Sequence, residues 1–238
     1  MIKALDCSRQ AMQMNLRRHE VISDNLANVN TPGFKREMAR ISSLEEARAS
    51  GLPTGRELQV EGMPQLSGGA LQATGNVLDL ALRGEGFFQV QGPDGPRLTR
   101  DGSFGLDSQG MIVHSSGHPL LVDGGSVQIT GACSVLPDGS ILDGERPVGR
   151  ISLVAPAEGS RLMRQGDNLY ESSGGTRELD AAEVQVASGY LEASNVDPVR
   201  EMVDMIRAFR VYEIAQRAAS AADETLSKAV NQVGALRE

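Results

Sequence analysis

The 238-residue sequence has no Trp and only 3% aromatic residues, which leaves few of the flat side chains that hold single-stranded nucleic acid by stacking. Its two cysteines, Cys7 and Cys133, lie far apart and match no metal-ligand spacing, so neither a disulfide scaffold nor a zinc knuckle is expected. A basic stripe is missing too. Residues 1–40 carry a net charge of +3, residues 41–196 carry −10 and residues 197–238 carry −1. An acidic centre without clustered Lys and Arg argues against nucleic acid and against anionic membrane surfaces as partners. No run approaches the roughly 20 apolar residues of a membrane span, and the start, MIKALDCSRQAMQMNLRRHE, lacks the apolar core of about 7–15 residues of a secretory signal. The expectation is a chain that neither inserts in a membrane nor carries a cleaved signal peptide.

What is present is a three-part grammar. Residues 2–29 read as a helix, because Ile2, Leu5, Met12, Leu16, Ile22, Leu26 and Val29 recur at steps that fit a 3.6-residue period. Residues 41–69 read as a connector with room for a short helix near Ser43–Ala49. From about 70 to 190 short alternating runs are separated by turn signals such as Pro93-Asp94-Gly95, Asp123-Gly124-Gly125 and Pro137-Asp138-Gly139, the pattern of a many-stranded antiparallel fold. The last 40 residues return to helix, with Asn195 or Asp197 as N-cap and Pro198 in the first turn. From Met205 a heptad-like seam runs through Phe209, Tyr212, Ala219, Leu226, Val230 and Val233, with polar gaps at Gln216 and Asp223. Arg200, Glu201, Asp204 and Arg207 read as a solvated or neighbour-facing flank. The fold class is α+β: N- and C-terminal helices (1–40 and 191–238) forming a coiled-coil-like domain, around a central all-β domain (70–190).

Motifs that carry chemistry are weak. His114 and His118 have HxxxH spacing, but Gly117 and Pro119 oppose a helix, so a hairpin turn accounts for them better than a metal site. Gly84 and Gly86 precede a strand and not the helix start that cradles phosphate. No nucleophile-elbow motif accompanies the Ser, His and Asp residues. No catalytic, cofactor or metal residue is assigned, and an enzyme is not expected.

Two thinly amphipathic ends on an acidic β domain lack apolar surface of their own to pack against, and most helix stability in proteins comes from packing such a face. Copies stacked head to tail would supply it, as rings or open filaments. NLANVNTPGFKR (25–36), TGNVLDLALRGEGFFQV (74–90) with LTRDGSF (98–104), and GYLEASNVDPVREMVDMIRAFRVYE (189–213) resemble, in the same order, the signatures of flagellar axial proteins of the rod and hook. Within them the short connector and modest length resemble the basal-body rod proteins, of proximal-rod type ahead of distal-rod type. The resemblance implies a self-assembling subunit of the shaft that carries motor torque, with other copies and neighbouring rod proteins as partners, the flagellar export apparatus as its route, ring proteins around it, and no enzyme activity or cofactor. It also implies a periplasmic basal-body location reached without a cleaved signal.

The residues expected to pack between subunits are Leu5, Met12, Leu16, Ile22 and Leu26 on the first helix, Asn25, Asn28, Asn30 and Phe34 at its end, and Met202, Met205, Ile206, Phe209, Tyr212, Leu226 and Val230 on the last. The asparagines are expected to end the helix through left-handed backbone and local hydrogen bonds, and Pro32-Gly33 to form a type II turn with Phe34 as anchor. The rival is a monomeric secreted β-rich binding domain with the helices as stalks. Limited proteolysis separates the two: dilute assembly subunit is expected to be cut within 1–35 and 200–238, whereas protection of both ends would favour the monomeric domain.

Overall fold

The computed structural model describes residues 2–42, 59–180 and 182–235; the helix expected near Ser43–Ala49 lies outside them, as does the side chain of Val230. The described chain divides into two compact units, one from Met1–Ala27, Glu37–Met63 and Asp197–Glu238, the other from Asn28–Arg36 and Pro64–Val196. Residues 28–36 and 191–196, expected with the helices, therefore belong to the β-rich unit. The physical reason is the set of buried polar contacts described below, which composition did not reveal.

The helical unit holds α1 (Ile2–Ala27) and α2 (Pro198–Ala235), which pack on each other, with the two-stranded ribbon of β1 (Glu37–Ser42) and β2 (Gln59–Pro64). Asp197 is the N-cap of α2: its Oδ1 accepts from the N–H groups of Val199 (3.0 Å) and Arg200 (3.2 Å), two of the orphan donors of a helix start. Pro198 then takes the first helical position, where a missing N–H costs nothing.

The β-rich unit is antiparallel throughout. A six-stranded sheet runs in the order β13 (Leu162–Gly166), β14 (Leu169–Ser172), β6 (Gly95–Thr99), β5 (Phe87–Gly92), β12 (Leu153–Pro156), β15 (Thr176–Glu178). The smaller pairings are β16 (Gln185–Ser188) with β4 (Leu80–Arg83), β17 (Tyr190–Glu192) with β3 (Leu71–Ala73), β7 (Phe104–Leu106) with β8 (Ile112–His114), and a three-stranded sheet of β9 (Cys133–Val135), β10 (Ser140–Asp143) and β11 (Arg146–Arg150). Strand β5 shows why its alternation is stable. Phe88 and Val90 join the large core with Leu80, Phe104 and Leu120, while Phe87 packs with Leu98, Val154 and Tyr170 in a second cluster, as a period of two requires when both faces are covered. His114 ends β8, and its carbonyl accepts from the Gly117 N–H at 2.7 Å, a hairpin turn.

The Pro32-Gly33 turn is inserted into this unit. Phe34 N–H donates to the Thr31 carbonyl at 3.3 Å and Gly33 has φ of 66°, the geometry of a type II turn with glycine in its third position. A Cβ on Gly33 would lie 2.3 Å from the backbone of Arg100 and Asp101. Phe34 is fully buried, with the Arg164 guanidinium 5.0 Å from its ring centroid. Segment 28–35 is thus packed and not part of a frayed end. Gly33→Ala is expected to destabilise the β-rich unit by about 2–5 kcal/mol, adding a backbone clash to the cost of a left-handed L-residue. Gly144 has nearly the same φ, 64°, and open space around it, so Gly144→Ala is expected to cost only about 1–2 kcal/mol; urea midpoints by circular dichroism compare the two.

Candidate assembly surfaces and the buried charge cluster

Side chains on α2 are sorted opposite to the usual expectation. At 100° per residue, Glu201, Met205, Ala208, Tyr212, Ala215, Ala219, Ala222 and Leu226 line one face at alternating steps of four and three, and all are buried or half-buried. The opposite face carries Val199, Met202, Val203, Ile206 and Phe209, exposed by 70, 51, 42, 56 and 56% respectively, with Ile214 exposed by 65% nearby. Four of the eight inward residues are alanine, while these large apolar side chains are left exposed. The expected seam is corrected on this point: Ala208, not Phe209, takes the inward position, and the seam passes through Ala215 and Ala222 beside the exposed Gln216 and Asp223. Alanine lets a neighbouring backbone approach closely, so the larger side chains are displaced outward.

On α1, Ile22 and Asn25 are buried, Leu5, Met12 and Leu26 are half-buried, and Leu16 is 50% exposed. Asn25 does not act by left-handed backbone; among described non-glycine residues only Asp123, Asp167 and Asn168 have positive φ. Its amide instead clasps the chain by side-chain bonds. Nδ2 donates to the Glu37 carbonyl at 2.8 Å and Oδ1 accepts from the Glu37 N–H at 2.8 Å, while Nδ2 also reaches Glu201 Oε2 at 3.2 Å. Glu201 is fully buried, against the expectation of a solvated or neighbour-facing flank, because this clasp takes it inward. Asn28 Oδ1 accepts from Thr31 Oγ1 at 3.1 Å, and Asn30 is exposed.

The β-rich unit contains a second polar centre, which none of the expected packing residues included. Glu192, at the end of β17, is 2% exposed; Lys35 and Arg100 are 1% and 4% exposed. Glu192 Oε1 accepts from Lys35 Nζ at 2.6 Å and from the Gly69 N–H at 2.7 Å, and Oε2 accepts from Arg100 Nε at 2.9 Å. Lys35 Nζ also donates to the Ser67 carbonyl at 2.9 Å. The Arg100 terminal nitrogens donate to the carbonyls of Gly86 and Gly84, so the GEG stretch, whose glycines the sequence suggests only as turn residues, is a carbonyl cradle for a guanidinium. The Gly33 N–H donates to the Glu192 carbonyl at 2.6 Å. Nearby, Asn195 accepts from the Arg36 N–H at 2.6 Å and donates to the carbonyls of Gln65 and Ser67, each at 3.0 Å. Each of the three quoted signatures therefore contributes a charged group to one site. Charge buried inside a recognisable motif was the available signal.

Burial pushes the Lys35 ammonium below its usual range, against the opposing pull of Glu192, and lowers the Arg100 guanidinium in the same way. Burial alone would raise the neighbouring Asp101 carboxyl, yet His114 and the hydroxyl and N–H of Ser103 hold it below the usual carboxylate value. A cleft of about 460 Å³ opens beside Lys35 and Arg100, lined also by Glu85, Phe87, Pro156 and Arg177. Its cations are already engaged: the buried pair by Glu192 and Arg177 by Glu183 at 3.0 Å.

Comparison with known proteins matches three family descriptions along the chain. Residues 5–35 match "Flagella basal body rod protein", residues 81–142 match "Flagellar hook protein FlgE/F/G D1 domain", and residues 187–233 match "Flagellar basal body rod FlgEFG protein C-terminal". Similar relatives include the flagellar basal-body rod protein FlgF of Caulobacter vibrioides, 37% identical over 93% of this chain and 94% of the relative. The rod protein FlgG of Buchnera aphidicola from Acyrthosiphon pisum is 36% identical, covering 92% and 94%. FlgF of Salmonella typhimurium is 32% identical, covering 92% and 93%.

Asn25→Ala removes one hydrogen bond from the N–H and one from the carbonyl of Glu37, at about 0.5–1.5 kcal/mol for each bond lost. The variant is expected to lose the 222 nm helical signal at lower temperature than the parent, with Asn25→Asp lower still because it sets a carboxylate against Glu201.

Proposed function

The chain belongs to the flagellar basal-body rod protein family, and on that footing we propose that it enters the rod through the outward apolar face of α2 together with α1, as the helical core of a shaft that transmits motor torque. It is a structural subunit of the bacterial flagellar basal-body rod. The carrying observation is the inverted sorting on α2, where alanines take the inward seam and Val199, Met202, Ile206 and Phe209 are left in solvent. An exposed apolar patch of this kind marks an interaction site, and long helices from several subunits bury it in a coiled-coil-like core at steps of three and four. Leu16 and Phe209 contact neighbouring copies and adjoining rod proteins, and Leu5, Met12, Ile22, Leu26, Met205, Tyr212 and Leu226 set the helix pair that presents them.

The finer placement follows the same reading. Short sequence ahead of Thr74-Gly75-Asn76 and the 37% identity to a FlgF support the proximal-rod type; the 36% identity to a FlgG supports the distal type as the second reading. The basal body is its location. A periplasmic position, delivery by the flagellar export apparatus without a cleaved signal, and contact with surrounding ring proteins complete the proposal.

Phe209→Asp is the direct test. Phe209 is already 56% exposed, so the monomer should keep its stability to within about 0.5 kcal/mol. Basal bodies purified from cells whose sole copy carries Phe209→Asp should lack the subunit, and normal incorporation would overturn the assignment of that face.

A further inference from the structure

We propose that Glu192 is an order-setting lock in the β-rich unit, making the docking of the N-terminal segment 28–36 conditional on the earlier docking of segment 189–196. Arg100 needs neither segment to be held. Its guanidinium bonds the carbonyls of Gly84 and Gly86, so a cation stands at the site once the β5–β6 hairpin and β4, paired with β16, have formed. Lys35 cannot be added to that site alone. It would bring a second cation beside the first with no carboxylate between them, and closing the site over both would bury unpaired charge, which is strongly destabilising. Glu85 lines the adjoining cleft and pulls on Arg100 more weakly than Glu192 does, but it is exposed, so water screens it.

Segment 189–196 has no such obstacle. Tyr190, Leu191 and Glu192 pair with Ala73, Gln72 and Leu71 through β17 and β3, and the Glu192 carboxylate finds Arg100 and the Gly69 N–H already in place. Its arrival turns a site that repels Lys35 into one that attracts it. The same residue also presents the carbonyl that takes the Gly33 N–H, so side chain and backbone of Glu192 both await the incoming turn. Residues 157 positions apart are thereby coupled, and the far end of the chain must arrive before the near end can close.

Hydrogen exchange by mass spectrometry on the full chain tests the order. In Glu192→Gln, peptides spanning 28–36 are expected to exchange about tenfold faster or more, while those spanning 87–99 keep their protection. Lys35→Met should leave β17 protected, because Arg100 and Gly69 still hold Glu192. The double variant should recover protection of 28–36 relative to Glu192→Gln, since the second cation is gone. Wild-type protection of 28–36 in Glu192→Gln, or equal exposure of β17 in Lys35→Met, would overturn the lock. Should Glu192→Gln fail to fold, Glu192→Asp keeps the charge one methylene short. Selective loosening of 28–36 supports the proposal, and uniform loosening of 28–36 and 87–99 overturns it.

Discussion

A single carboxylate, that of Glu192, sits between an ammonium from the beginning of the chain and a guanidinium from its middle, with all three withdrawn from water. Burying such groups is costly, and the arrangement persists because almost every neighbouring donor and acceptor is drawn into it: the Gly69 N–H, the Ser67 carbonyl, and the carbonyls of Gly84 and Gly86. A buried ion pair adds little net stability over an apolar replacement, but removing one partner is strongly destabilising because it leaves a charge unpaired. Around this centre the turn at Pro32-Gly33, the GEG stretch and the approach to α2 all take their positions. Three segments that look unrelated in the sequence are parts of one electrostatic unit.

The helical unit follows a different logic. Its polar centre, Asn25 with Glu37 and Glu201, is small, and the inward seam of α2 is rich in alanine. Alanine seams bury little area, and buried area sets hydrophobic stabilisation at about 25 cal/mol per Å². A helix pair assembled this way is held modestly by itself and has its larger apolar side chains still to bury. That exposed surface is the one through which we propose that the subunit packs in the rod.

Both helices and the strands around Phe87–Gln91 and Val184–Ala187 were legible, because period and turn chemistry are local properties of the sequence. The division of Phe88 and Val90 from Phe87 between two clusters emerges only from the packing. On α2 the heptad pattern through Phe209 lies one position from the inward face through Ala208, since hydrophobic size favours Phe209 and only three-dimensional packing shows that the smaller residue faces inward. Many short strands, among them β3, β15 and β17, escaped notice because three residues are too few to display a period. Glu201 and Glu192 were missed for one reason: a glutamate reads as surface until the partners that make its burial tolerable, Asn25 in one case and Lys35 with Arg100 in the other, are known to be adjacent.

Gly33 meets two separate constraints, a left-handed φ and backbone atoms of Arg100 and Asp101 where a Cβ would stand. Backbone cannot be trimmed by exchanging a side chain elsewhere, and the dihedral is a property of residue 33 alone. A second substitution elsewhere in the chain can therefore offset a lesion at this codon only by adding stability at large, and glycine alone removes both constraints at their source.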